Sequence, residues 1–316
     1  MIKLSRRINV GEYAEHTLAK AKNPDFRPIF QQALDYSSQR VKGLEDIFNS
    51  IHHPIPVAFG EKDADINAGE LFSESFMLTY TKSTNKFIIG NYIEAYSNSS
   101  RSDVRQFFSE CIDQTRNIIN MCTDVLLAKG LDLKAPYLII PDTIDFVDDK
   151  DYYGSIFGNN RPLNSLEIGH LHNIIANKLI LGTLTLGLAQ VAKNDKIRKY
   201  LAKGNELCKK QVNELSAILS QWDLPVPSTS DFEISSSTDS PFSDRLIIFH
   251  TTVVTAYTIS NYGKALTNGA DKEIIKVYMS LISELLTYAK DGLDLMIENR
   301  WLERVPETAD RRKLVH

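Results

Sequence analysis

A period of about 170 residues constrains this chain more than any other feature. His53-Pro-Ile-Pro-Val57 returns as Asp223-Leu-Pro-Val-Pro227, and Glu70-Leu-Phe-Ser-Glu74 returns as Ser240-Pro-Phe-Ser-Asp244. Pro54 and Pro225 are 171 apart, as are Pro56 and Pro227; Phe72 and Phe242 are 170 apart, as are Tyr92 and Tyr262. Asn23/Asn194 and Pro136/Pro306 extend the match in both directions. A chain of 316 residues therefore reads as two copies of one unit, each long enough to bury a core of its own.

Apolar spacing makes that unit helical. Phe26, Ile29, Phe30, Ala33, Leu44, Ile47 and Phe48 recur at intervals of three and four, and Pro54 must end their helix. The first copy reads as helices over 2–22, 24–51, 70–97 and 102–129, the second over 164–192, 195–222, 241–267 and 271–299. We call these helices A to D of each copy. The expected domains are a first bundle at 1–130, a linker at 131–162 that lies against the bundles, and a second bundle at 163–316. A short strand at 137–140 is the most β structure expected. The A–B and C–D links are tight, so each pair is antiparallel. The B–C connection of about 17 residues reaches ~50 Å when extended, more than the ~39 Å length of a 26-residue helix. It can run the length of the bundle and set B parallel to C. The fold expected is all-α: two tandem ferritin-like four-helix bundles with long B–C crossover connections. Met1 aligns with His172, which predicts a shortened first helix in bundle one.

Composition excludes several roles. With 36 basic and 40 acidic residues and no basic block, nucleic acid is not an expected partner. Cys111 and Cys122 sit on one helix some 16 Å apart at ~1.5 Å per residue, too far for a disulfide. Three cysteines without a zinc spacing point to a reducing, cytoplasmic setting. The most apolar run, 179–192, is shorter than the ~20 residues of a membrane span and reads as a buried helix.

A di-iron carboxylate site would need a Glu from two helices and Glu-x-x-His from the other two. Glu167-Ile-Gly-His170 has that spacing on one helix, and His250 falls in the apolar sector of Leu246, Phe249 and Val253. Glu167, His170 and His250 are thus the candidate ligands for a transition metal (Fe, Mn or Zn), and no other cofactor is indicated. The set is incomplete. Glu284 is expected to face away from a helix D core formed by Ile275, Ile282, Leu285, Ala289 and Leu293, and Tyr80 stands in the first copy where His250 stands in the second. Glu167 also lies three residues after Asn164, the spacing of a capping box.

Pro54-Ile-Pro, Leu71-Phe-Ser, Arg101-Ser-Asp-Val-Arg-Gln-Phe-Phe, Arg161-Pro-Leu-Asn, Ser240-Pro-Phe-Ser-Asp, Phe249-His250, Asn261-Tyr-Gly and Met296-Ile-Glu-Asn together span nearly the whole chain. With them the chain resembles the family of spore-forming Firmicutes known as domain of unknown function 3231. The resemblance implies tandem ferritin-like bundles and a looser kinship with spore-coat proteins of the coat-F type; it implies no reaction. The start of the chain departs from the family pattern, where a Glu-Ile-x-x-Leu-Trp-like motif is expected. The function expected is a non-enzymatic structural or interaction protein, associated with sporulation or stress, with a protein partner or a second copy of itself. The alternatives are a metal-binding protein using Glu167, His170 and His250, and a bundle holding a small apolar ligand.

Overall fold

The computed structural model describes residues 11–314 apart from 58, 61, 134, 139, 154–160, 229–232 and 270. The first copy contains α1 (Gly11–Lys20), α2 (Arg27–Ser50), α3 (Glu74–Ser97) and α4 (Ser102–Ala128). The second contains α5 (Ser165–Val191), α6 (Asp195–Ser220), α7 (Asp244–Asn268) and α8 (Lys272–Glu298), followed by the short α9 (Arg311–Leu314). These match the expected helices to within a few residues. The beginning of the first predicted helix lies outside the described residues. Asn23 does not cap α2 directly; its side chain accepts from Asp25 N at 3.0 Å in a local turn, and the helix starts at Arg27 with Pro28 in its first turn.

Hydrogen bonds fix the topology. The Glu74 carboxylate accepts from Lys22 N and Asn23 N at 3.0 Å each, and Asp244 accepts from Lys193 N and Asn194 N at 3.0 and 2.8 Å. In both copies the third helix therefore begins beside the turn that joins the first two, so helices B and C run parallel. Asp271 N donates to Glu167 Oε1 at 3.1 Å, which brings the starts of α5 and α8 together. This is the single-crossover arrangement.

The crossovers do more than connect. Among the described residues there is no strand at 137–140, but two isolated bridges pair Ala64 with Phe242 and Phe72 with Ile234. Ala64 and Phe72 lie 170 residues before Ile234 and Phe242, so the two bridges exchange equivalent positions and an approximate twofold axis relates them. Asp65 N donates to Pro241 O and Ser243 N to Asp63 O, both at 2.9 Å; Ser235 N donates to Leu71 O at 2.9 Å and Ser73 N to Glu233 O at 3.0 Å. Each crossover is thus bonded to the start of helix C in the other copy. The Asp63 carboxylate, 8% exposed, also takes Arg245 Nη2 at 2.7 Å and Ser243 Oγ at 2.6 Å. Gly187 lets the seam close, because a Cβ there would come within 2.4 Å of the Phe72 ring.

One core cluster consequently runs through both copies, from Phe26 and Phe76 to Leu184 and Phe249. The separate cores expected from chain length are instead two smaller clusters, one at the far end of each bundle. The linker lies against the bundles at its ends, where Leu131 packs on the shared core, Asp132 pairs with Lys82 and Tyr152 Oη bonds to Asn164, but not in its middle. Tyr137, Ile144 and Phe146 are 86, 90 and 84% exposed rather than packed on the bundles. Asp142, Asp145, Asp148 and Asp149 interleave with them and keep this stretch hydrated.

The copies also trade volume. In the second, Tyr200 and Tyr288 stack at 4.2 Å, each hydroxyl resting on the other helix's glycine, Gly292 or Gly204. The first copy has Ile29 and Ile118 at the tyrosine positions, with Ala33 and Cys122 at the glycine positions. A Cβ on Gly292 would lie 2.6 Å from Tyr200 Oη and 2.7 Å from Thr252 Cγ2. Gly292→Ala is expected to destabilise by about 1–2 kcal/mol in urea unfolding, overpacking outweighing the ~1 kcal/mol helix-propensity gain. Unchanged or raised stability would contradict this packing.

Candidate functional site

The three candidate ligands lie in three different places. Glu167 caps its own helix: its backbone N–H donates to Asn164 Oδ1 at 2.9 Å, and its carboxylate accepts from Asn164 N at 3.0 Å. Both carboxylate oxygens are also held at 2.8 Å by Arg161, whose guanidinium lies 4.1 Å from the Tyr152 ring centroid. With the Asp271 amide as a further donor, this 2%-exposed residue is a fully bonded structural anion. His170, one turn on, is half-buried at the surface, and burial followed by Lys264 pulls its imidazole down. His250 lies near the other end of the bundle. Glu167 bonds to a residue just past the end of α7, whereas His250 is in the second turn of that helix, 18 residues before its last residue. At ~1.5 Å per residue the separation is about 27 Å. Among the described residues no group of three His, Cys, Asp or Glu side chains is arranged to hold a metal ion.

His250 occupies the twofold seam. Its Nε2 is hydrogen-bonded to the Tyr80 hydroxyl, and these two residues hold equivalent positions in the two copies. Tyr13 lies 4.7 Å from the imidazole, and the next equivalent pair, Phe87 and Tyr257, meets at 4.6 Å. Burial drives His250 down to about 4, so the ring that shares this hydrogen bond with the phenol is neutral. Nearby Glu12 is pushed up to about 7 by burial, with Asp63 and Glu15 adding to the effect.

The mid-bundle polar residues were harder to foresee. In the first copy, buried Arg40 on α2 donates to Gln114 Oε1 at 2.9 Å and Thr115 Oγ1 at 3.0 Å, with its guanidinium 5.3 Å from the Tyr92 ring centroid. In the second copy Gln211 replaces Arg40, and Glu284 replaces Gln114. Gln211 Nε2 donates to Leu281 O at 3.4 Å and Glu284 Oε2 at 3.3 Å, while Tyr262 Oη donates to Gln211 Oε1 at 3.0 Å. Glu284 is therefore on the side of the core, not opposite it. The buried face of α8 is Ile274, Tyr278, Leu281, Leu285, Tyr288, Gly292 and Met296, one residue out of register from the expected stripe except at Leu285.

The cation of this second cluster comes from helix A. Lys178 has no exposed surface, its Nζ lies 5.8 Å from the Tyr262 ring centroid, and it has no hydrogen-bond partner among the described residues. Burial lowers its amine, while Cys208 and Glu284 pull the other way. The signal was present in the sequence: Leu171, Ile174, Lys178, Leu181 and Thr185 form one helical stripe, and a lysine on that stripe must be buried. Its helix, Ser165–Val191, is long and apolar enough by composition to cross a membrane, yet 67% of its most apolar window is buried inside the protein.

The enclosed spaces are small. About 30 Å³ lies beside Tyr13, Ser37, Arg40 and Ile118, and about 20 Å³ beside Tyr80, Phe87, Leu184 and Tyr257. These volumes suit a water molecule, not an apolar ligand. An open cleft of about 660 Å³ between Lys62, Asp65, Lys193 and Asp244 follows the first crossover and is lined by charge of both signs.

Residues 4–144 and 152–314 each match the family described as Protein of unknown function (DUF3231). No curated protein matches. Among solved structures, a protein described as a "putative spore coat protein" from Bacillus halodurans C-125 is similar at 12% identity and a TM-score of 0.45. The similarity covers 48% of this chain and 98% of that one.

Proposed function

The chain belongs to the DUF3231 family of proteins of unknown function, and from that premise we propose that it is a non-enzymatic structural or interaction module. One observation carries this reading: the polar residues that could have built a reactive centre are committed to holding the fold. Glu167 neutralises Arg161 and accepts the Asp271 amide, and His250 is bonded to Tyr80 across the seam. A metal at Glu167 would have to displace a bidentate arginine, and His250 would still lie about 27 Å away. The exposed Tyr137, Ile144 and Phe146 add apolar surface of the kind that partner proteins cover. A sporulation role, implied by the family resemblance, is not needed for this reading. Elemental mass spectrometry of the tag-free protein and of His250→Ala should find no stoichiometric iron, manganese or zinc in either. Stoichiometric metal that disappears in the variant would replace this reading with the metal-binding one.

A further inference from the structure

Helix α8 carries a second apolar stripe beside the one it buries. Met279, Leu286, Leu293 and Ile297 are 61, 55, 43 and 59% exposed. With the half-buried Ile282 and Ala289 between them, the stripe runs 279, 282, 286, 289 and 293, alternating steps of three and four. That is the spacing of a helix that packs lengthwise on another helix.

The duplication supplies an internal comparison. The residues of α4 at the positions of Met279, Leu286, Leu293 and Ile297 are Ser109, Arg116, Thr123 and Leu127. Arg116 is 67% exposed. The same helix position in the same fold is thus mostly polar in one copy and wholly apolar in the other, so the apolar stripe is not a requirement of the fold.

The flanking charges favour one partner and one orientation, with Asp294, which pairs with Lys290 of its own helix at 2.6 Å, half exposed and able to accept a second cation. Lys276 lies ten residues before Leu286 and Asp294 eight after it, about 15 and 12 Å along the axis in opposite directions. At ~100° per residue both stand about 80° from Leu286, on the same side of the stripe. If two α8 helices met antiparallel with Leu286 against Leu286, Lys276 of each would come level with Asp294 of the other to within ~3 Å along the axis. A parallel pair would instead turn that flank toward the partner's Tyr278 and Leu285, which are buried in their own bundle.

We propose that the protein forms a twofold dimer through antiparallel pairing of α8 with α8 of a second copy, centred on Leu286 and flanked by two Lys276–Asp294 ion pairs. The proposal extends the interaction-module reading by naming one partner; metal analysis tests that reading separately, so the two can fail independently.

Sedimentation velocity on the full chain, from 1 to 100 μM, tests the pairing. The wild type is expected to be dimeric at the upper end of this range and Leu286→Glu monomeric, with unchanged circular dichroism because the side chain is half exposed. Lys276→Glu should weaken the dimer at least tenfold, and Lys276→Glu/Asp294→Lys should restore it. Under mild oxidation, Leu286→Cys should cross-link to its counterpart and Met279→Cys should not; the native Cys111, Cys122 and Cys208 are all buried. A monomeric wild type, or a dimer indifferent to Leu286→Glu, overturns the proposal. Loss of association without rescue by the charge exchange, or cross-linking through position 279 instead of 286, overturns the antiparallel register.

Discussion

Lys178→Met is expected to stabilise the protein at neutral pH by roughly 2 kcal/mol, visible as a rise of a few degrees in the thermal midpoint. The amine is fully buried and has no hydrogen-bond partner among the described residues; the Tyr262 ring, the Cys208 thiol and the Glu284 carboxylate are the groups that act on it. Methionine fills the same length of space without a group that must be desolvated. The pH dependence gives a second signature. Because the folded amine lies below its ordinary value of 10.5, the cost of Lys178 is fully present below the folded pKa. As pH rises from there toward 10.5, the folded chain sheds its proton before the unfolded chain does, and the wild type gains stability. The advantage of Lys178→Met should therefore shrink on the alkaline side, as read from urea unfolding of both proteins at a series of pH values. A destabilised variant at neutral pH would mean that the ammonium is needed in the core.

The second large effect belongs to the seam. Unfolded, His250 takes up a proton near 6.5; folded, it waits until about 4. Between those values the unfolded chain holds the extra proton, so stability falls as pH drops through this window, by about 3 kcal/mol in all. His16, also lowered by burial, adds in the same sense. Glu12 opposes them, since its folded value near 7 lets the native state keep a proton that the unfolded state has lost. Opposing slopes flatten the wild-type curve, so the effect is read by difference. Tyr80→Phe/His250→Phe removes both members of the seam bond and leaves no orphaned hydroxyl. Relative to wild type, its stability should improve by about 3 kcal/mol between pH 7 and pH 4. Parallel curves would show that His250 titrates as an ordinary imidazole and that the seam is open to water.

How far the candidate site could be read from sequence depended on the range of the interactions involved. The capping role of Glu167 was legible because Asn164 is three residues away, and a capping box is a local structure. Its bidentate arginine lies six residues upstream, and no periodic rule links the two. His250 read correctly as a buried residue, but its partner Tyr80 is 170 positions away and belongs to the other copy. The face of α8 was misread because the helix has two apolar stripes one residue apart. Periodicity reports that an apolar face exists and cannot say which of two faces the bundle buries.

Residue order alone was enough to show that the chain is helical, that its unit is duplicated, and that the long connection is able to set the second and third helices of each unit parallel. Those conclusions follow from spacing, proline and the fixed rise of a helix, all properties of contiguous residues. Tertiary structure alone decided that the two units share one core, and that each crossover bonds to the other copy's helix C. It also decided that the lysine of the second bundle takes over from helix A the place that an arginine on helix B fills in the first. Each of these depends on which surfaces meet in space, and burial then sets the charge state of Lys178 and His250, because desolvation acts on whatever the packing encloses.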